Sequence, residues 1–180
     1  METKQNMYLL KALDAYPYEL QEAMEALEYA LSYEPENAEA LFLMGRFYSE
    51  QLQDFETAKH YYDAALAQNL AMPRVYVYYA QLLINNEDYP GAKRLLEFAQ
   101  TQKGVDRAYL CYLEGLILEY EADFKQAKKA YKRAKKLSVS NNFRSQVDNE
   151  IARVKDKQPK AKTKAKKKKK RKNKKKKSNK

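Results

Sequence analysis

The sequence predicts an all-α protein: an α-solenoid of four helical hairpins, a C-terminal capping helix, and a disordered polylysine tail. Three observations predict it. Small and large apolar residues return in register every 34 or 35 positions over the first 140 residues. Within each copy apolar residues recur at spacings of three and four, the period of a helix. The chain ends in a lysine-dominated stretch with no apolar period at all.

The repeat is plainest in two segments, Asp54–Gln68 (DFETAKHYYDAALAQ) and Asp123–Leu137 (DFKQAKKAYKRAKKL), which share Asp-Phe, Ala-Lys, Tyr and Ala in register. Asp88–Ala99 and Glu19–Ala30 carry weaker copies. The first small residue of this half falls at Ala23, Ala58, Ala92 and Ala127, and the last at Ala30, Ala65, Ala99 and Ala134. Leu27, Tyr62, Leu96 and Tyr131 stand between them. An upstream half repeats as well, with Gly45, Ala80 and Gly115 spaced by 35. The same phase puts Lys11 at the small-residue position of the first copy. Asp54, Asp88 and Asp123 are placed to cap the second helix of each unit by accepting from its free N–H groups. Small residues are expected where the two helices approach each other, because a bulky side chain there would hold them apart.

These units resemble the tetratricopeptide repeat, whose pattern of an aromatic, Leu-Gly, Tyr, Ala, an aromatic and Pro spans about 34 residues. It reads here as Leu41, Met44-Gly45, Tyr48, Ala58 and Tyr62, then Tyr76, Tyr79-Ala80, Leu83, Ala92 and Leu96. The last copy gives Cys111, Glu114-Gly115, Leu118, Ala127 and Tyr131, and the first gives Met7, Leu10, Ala23, Leu27, Ala30 and Pro35. The departures are the lack of Trp, Lys11 for a small residue, Glu114 for Leu, and a terminal Pro in the first copy alone. The repeats occupy residues 1–140, as units of about 4–37, 38–72, 73–107 and 108–141.

Residues 141–156 place Phe143, Val147, Ile151 and Val154 on one helical face, and no second helix follows. They are the expected cap, since solenoids end in an element with one polar face. From 157 to 180 like charges repel and nothing offsets the entropy of ordering, so disorder is expected there.

The net charge of +11 conceals a division. Residues 155–180 carry +16, whereas residues 1–154 carry −5 and residues 1–72 alone carry −9. The sequence therefore reads as an acidic body with a polycationic tail. No secretory leader or membrane-spanning run is read from it, and the lone Cys111 suits a reducing cytoplasm, or a nucleus in a eukaryotic cell.

Catalysis finds no constellation. His60 sits on a second helix without an organised partner, Cys111 occupies a core position, and no phosphate loop or metal-ligand spacing occurs. Catalytic residues, metal ligands and cofactors are all expected to be absent. The resemblance implies instead that first helices line a concave groove for a partner protein. Its candidate lining is Tyr8, Phe42, Arg46, Arg74, Val77, Gln81, Tyr109, Tyr112 and Leu116, with Ala12 and Glu119 among the neighbouring positions. Tyr and Arg are the residue types that anchor interfaces. The Lys and Asn set with which some relatives of this kind clamp a chaperone's terminal carboxylate is missing.

Lys128 and Lys132, with Lys166, Lys167, Lys168, Lys169, Lys170, Arg171 and Lys172, are the candidate anion-binding residues. The reading is a non-catalytic scaffold or adaptor with a tail for anionic surfaces. Its alternative is a sequence-independent nucleic-acid- or ribosome-associated protein driven by the tail. The tail could also meet the acidic N-terminal half, and the chain could self-associate through its first unit.

Overall fold

The computed structural model describes residues 6–158, and every regular element among them is helical. In chain order they are α1 (Met7–Ala15), α2 (Leu20–Tyr33), α3 (Ala38–Phe47), a π turn (Tyr48–Leu52), α4 (Phe55–Gln68), α5 (Pro73–Asn85), α6 (Tyr89–Ala99), α7 (Arg107–Tyr120), α8 (Phe124–Leu137) and α9 (Asn141–Lys157). The odd-numbered helices α1, α3, α5 and α7 each pack chiefly on the even-numbered helix that follows, and α9 packs on α8.

The turns inside these pairs share one construction. Gln53, Glu87 and Ala122 take left-handed backbone at φ 54°, 60° and 60°. The next residue is Asp54, Asp88 or Asp123, and its carboxylate accepts from the N–H of Thr57, Gly91 or Gln126. In the last two turns the N–H of the aspartate also reaches back to a carbonyl of the preceding helix, Leu83 or Leu118. Each left-handed non-glycine residue costs about 1–2 kcal/mol, and each aspartate cap returns about 1 kcal/mol.

Between paired helices, side-chain sizes are matched. A Cβ on Gly45 would lie 2.7 Å from two ring carbons of Tyr62, and one on Gly115 would lie 2.7 Å from two ring carbons of Tyr131. Both rings are completely buried. Where the second helix supplies the smaller Leu96, the first supplies Ala80, and both lie in the same core cluster. Glycine faces tyrosine and alanine faces leucine.

That rule corrects the phase of the first unit. Lys11 is exposed and pairs with Glu22 at 3.0 Å, whereas Ala12 is completely buried in one cluster with Leu27. The small residue facing Leu27 is therefore Ala12, one position later than the repeat spacing indicates.

The second unit departs differently. Gly45 and Ala58 are 13 apart, whereas Ala80 to Ala92 and Gly115 to Ala127 are 12. The additional residue is taken up in the π turn, which closes with the Asp54 N–H donating to the Tyr48 carbonyl. A π turn is the usual way a helix accommodates one surplus residue.

Helix α9 lays its apolar face on the body. Val147 and Val154 are fully buried, with Phe143 and Ile151 partly so, against Cys111, Ala127, Tyr131 and Ala134. Burying each valine contributes about 1.5–3 kcal/mol. Glu119 of α7 is also buried and accepts from Tyr131 at 3.0 Å, Arg153 at 2.9 Å and Lys157 at 2.9 Å, so α9 is clamped electrostatically as well. No described helix is long and apolar enough to cross a membrane.

Candidate partner-binding groove

The odd-numbered helices stand side by side, and their shared face is built around Arg46. Its guanidinium lies 4.9 Å from the ring centroid of Tyr16, at the end of α1, and 4.5 Å from that of Tyr78 on α5. Glu50 holds it from below, with Arg46 Nε and Nη2 each donating at 3.0 Å. The Tyr16 hydroxyl donates to the same carboxylate. Burial, and then that bond to Glu50, pushes the Tyr16 phenol up to about 12. Three helices are thus joined through one cation held between two rings, an arrangement worth up to about 2 kcal/mol per ring where water is excluded.

A second arginine bridges the neighbouring turn. Arg74 donates to both carboxylate oxygens of Glu39 at 2.9 Å and lies 5.4 Å over the Phe42 ring. Beyond it Val77, Tyr78, Gln81, Asp106 and Tyr109 line an open hollow between α5 and α7. The Tyr109 hydroxyl spans it, donating to Gln81 at 3.5 Å. Because Glu50 and Glu39 neutralise the two arginines, this face presents aromatic rings and neutral hydrogen-bonding groups more than net charge.

The candidate residues fall into four sets. Arg46, Arg74, Val77, Gln81 and Tyr109 are brought together as described. Phe42 is only 3% exposed; Arg74 and Tyr78 cover it, so it forms the floor of the face and is not offered to a partner. Tyr112 is half-buried between Phe143 of α9 and Tyr131, Leu116 is half-buried, and Glu119 is consumed by the clamp on α9.

Tyr8 does not join this face. It stacks on Tyr29 and Tyr33 of α2, with ring centroids 5.3 and 5.5 Å apart. The reason is the one-residue shift in the first unit. With Ala12 matched to Gly45, Leu9, Leu13 and Tyr16 take the positions of Phe42, Arg46 and Ser49. Ala12 itself moves from the groove to the core. Tyr16, Glu50 and Tyr78 are the functional candidates that sequence reasoning missed. The Ala12–Leu27 size match could have revealed Tyr16, and the i,i+4 spacing of Arg46 and Glu50 could have revealed Glu50.

Elsewhere, His60 is exposed, edge-on to Tyr61 at 5.9 Å. Cys111 is buried, and that burial pushes its thiol above the ordinary range. No cluster of metal-ligating side chains occurs among the described residues. Lys128 and Lys132 lie on α8, half-buried and exposed respectively. Lys166 to Lys172 fall outside the described residues.

Solved structures share this architecture. PilF of Pseudomonas aeruginosa superposes with a TM-score of 0.73 at 22% identity, covering 83% of this chain and 66% of that one. Yeast Tom70 gives 0.71 at 19% identity, covering 84% of this chain and 33% of that one. MamA of RS-1, as a double mutant, gives 0.64 at 16% identity, covering 84% and 94%. The chain therefore spans less than two thirds of the first two proteins it matches. No protein-family model matches the sequence, and no curated protein matches it. What the likeness establishes is the fold, which is tetratricopeptide-repeat-like.

Proposed function

We propose, taking the tetratricopeptide-repeat-like fold as premise, that this chain is a non-catalytic adaptor holding a segment of a partner protein against the face of its odd-numbered helices. The observation that carries the reading is the Tyr16–Arg46–Tyr78 stack beside the Val77–Gln81–Tyr109 hollow. It is a preorganised aromatic surface whose two arginines are already paired, with Asp106 at its edge engaged as the cap of α7. A segment with apolar and uncharged polar side chains fits it better than an acidic one, because a carboxylate would have to displace Glu50 or Glu39. Rigid Tyr and Arg contacts of this kind carry most of the energy in known interfaces.

We read the body as four units at about 4–37, 38–72, 73–107 and 108–141, with α9 as cap and the lysine-rich segment as a separate tail. The cytoplasm suits a lone buried thiol. The test is a nuclease-treated pull-down comparing the full chain with a Val77→Ser/Gln81→Arg variant and with residues 1–158. The reading expects one protein partner to be held by the full chain and by residues 1–158, and lost by the groove variant. A partner retained by the groove variant but lost with the tail overturns it.

A further inference from the structure

We propose that the exposed lysines of α8 form a second binding surface, independent of the groove, for the phosphate backbone of nucleic acid. Helix α8 carries seven basic residues and no acidic one (FKQAKKAYKRAKKL). Its apolar face, Ala127, Ala130, Tyr131 and Ala134, is completely buried, so all its charge is turned outward or along the edges. Lys125, Lys128 or Lys129, Lys132 and Lys136 follow at spacings of three and four, which aligns them in one stripe. From Lys125 to Lys136 the helix rises about 16 Å.

Four carboxylates around this stripe are engaged elsewhere, and Asp156 of α9 is the exposed one that is not. Glu114 accepts from Arg133, Asp148 from Lys135 and Glu121 from Lys93. Asp123 caps its own helix through the Gln126 N–H. Among the described residues, Lys125, Lys128, Lys129, Lys132 and Lys136 form no ion pair. A row of like charges without ion-paired partners is destabilising to the fold by itself, and an external polyanion relieves it.

Gln158, the last described residue, borders the same surface hollow as Ala122, Asp123, Phe124 and Lys125. The described residues therefore end beside the N-terminal end of α8, where the stripe begins. The 22 residues from 159 to 180 contribute fifteen more Lys or Arg.

The chemistry favours a phosphate backbone over a lipid surface. The exposed apolar side chains beside the stripe, Leu137 and Val139, are confined to its C-terminal end, residues 159–180 hold no large apolar side chain, and the apolar face of α8 is committed to the core. Lysines spaced along one exposed helix face meet phosphates as point charges, contacts that position without carrying sequence information, so recognition is sequence-independent and acts by release of condensed counter-ions.

The test uses the full chain and a fluorescein-labelled twenty-nucleotide oligothymidylate, with affinity followed by anisotropy from 50 to 300 mM salt. Lys129→Gln/Lys132→Gln keeps the helix propensity and the whole tail. Losing two phosphate contacts makes the slope of log K against log salt shallower by about 1.4, and weakens binding about tenfold at 0.15 M salt. Unfolding curves of the variant are compared with wild type so that loss of structure is not read as loss of a site. Two mixed-sequence strands of the same length, one a scramble of the other, bind with equal affinity. The proposal is overturned if the full chain does not bind the oligonucleotide, or if the double variant binds with unchanged affinity and slope. It is equally overturned if only phosphatidylserine vesicles are bound. The groove variant Val77→Ser/Gln81→Arg binds the oligonucleotide as wild type does, which separates failure of this surface from failure of the adaptor reading.

Discussion

The match between Gly45 and Tyr62 makes a quantitative prediction. Gly→Ala inside a helix ordinarily stabilises by about 0.8–1 kcal/mol. At Gly45 the new methyl would meet two carbons of the Tyr62 ring at 2.7 Å, and that ring, completely buried, has little room to retreat. Overpacking of this kind costs about 1–3 kcal/mol, so Gly45→Ala is expected to destabilise by about 1 kcal/mol net. Tyr62→Leu alone leaves a cavity, costing about 1–3 kcal/mol, but it also removes a buried hydroxyl without a hydrogen-bond partner. The double variant recreates the Ala80–Leu96 pairing of the next unit, and the two changes are expected to couple favourably by about 1–2 kcal/mol. Urea unfolding followed by far-UV circular dichroism on all four proteins of the cycle supplies the numbers. If Gly45→Ala stabilises by its full helix-propensity gain and the two effects simply add, the ring does not press on Gly45 and the size-matching rule is wrong.

Three other outcomes are expected. Ala122→Gly relieves left-handed strain at φ 60° and should stabilise by about 0.5–1 kcal/mol in the same urea assay; a loss would mean that the turn is not strained. Glu119→Gln removes the buried charge that Arg153 and Lys157 share. Both cations are about half exposed and can rehydrate, so the cost is moderate, about 1–3 kcal/mol, and it should appear as faster amide exchange in α9 with α3 to α5 unchanged. Uniform exchange would mean that α9 is held by its valines alone. The folded state binds the Tyr16 proton more tightly than the unfolded chain does, because burial and Glu50 raise the phenol from 10 to about 12. This contribution to stability is complete below pH 10 and fades as pH rises from 10 to 12. Tyr16→Phe should therefore lose less stability than wild type over that interval; parallel alkaline curves would show that Tyr16 is not so held.

Much of this was legible in the sequence for a physical reason: packing between paired helices imposes small residues at fixed intervals, and the intervals survive in one dimension. The three aspartate caps and the apolar face of α9 were read the same way, since a cap needs only its own turn and an amphipathic face only its own period. The groove was harder. Arg46, Arg74 and Gln81 could be placed by counting, but Tyr8 could not, because the first unit is shifted by one residue and counting alone points to Lys11. Glu50 carries one local signal, its i,i+4 spacing from Arg46, but its bond to Tyr16, 34 positions away, has none. The pairing of Glu119 with Arg153 and Lys157 joins residues 34 and 38 positions apart, and no local pattern announces a buried carboxylate's partners.

The π turn between Tyr48 and Leu52 has a consequence for inheritance. A codon gained or lost in most helices would rotate every later side chain by about 100° and expose the core from there to the end. Here the surplus residue is contained within one turn: Ala58 still meets its partners, and the third unit follows at the usual distance. The genetic frame of the array is thus kept by size-matched contacts, Gly with Tyr and Ala with Leu, and not by chain length. Related genes would be expected to differ by single-codon insertions and deletions between Gly45 and Ala58, while the contact pairs on either side stay matched.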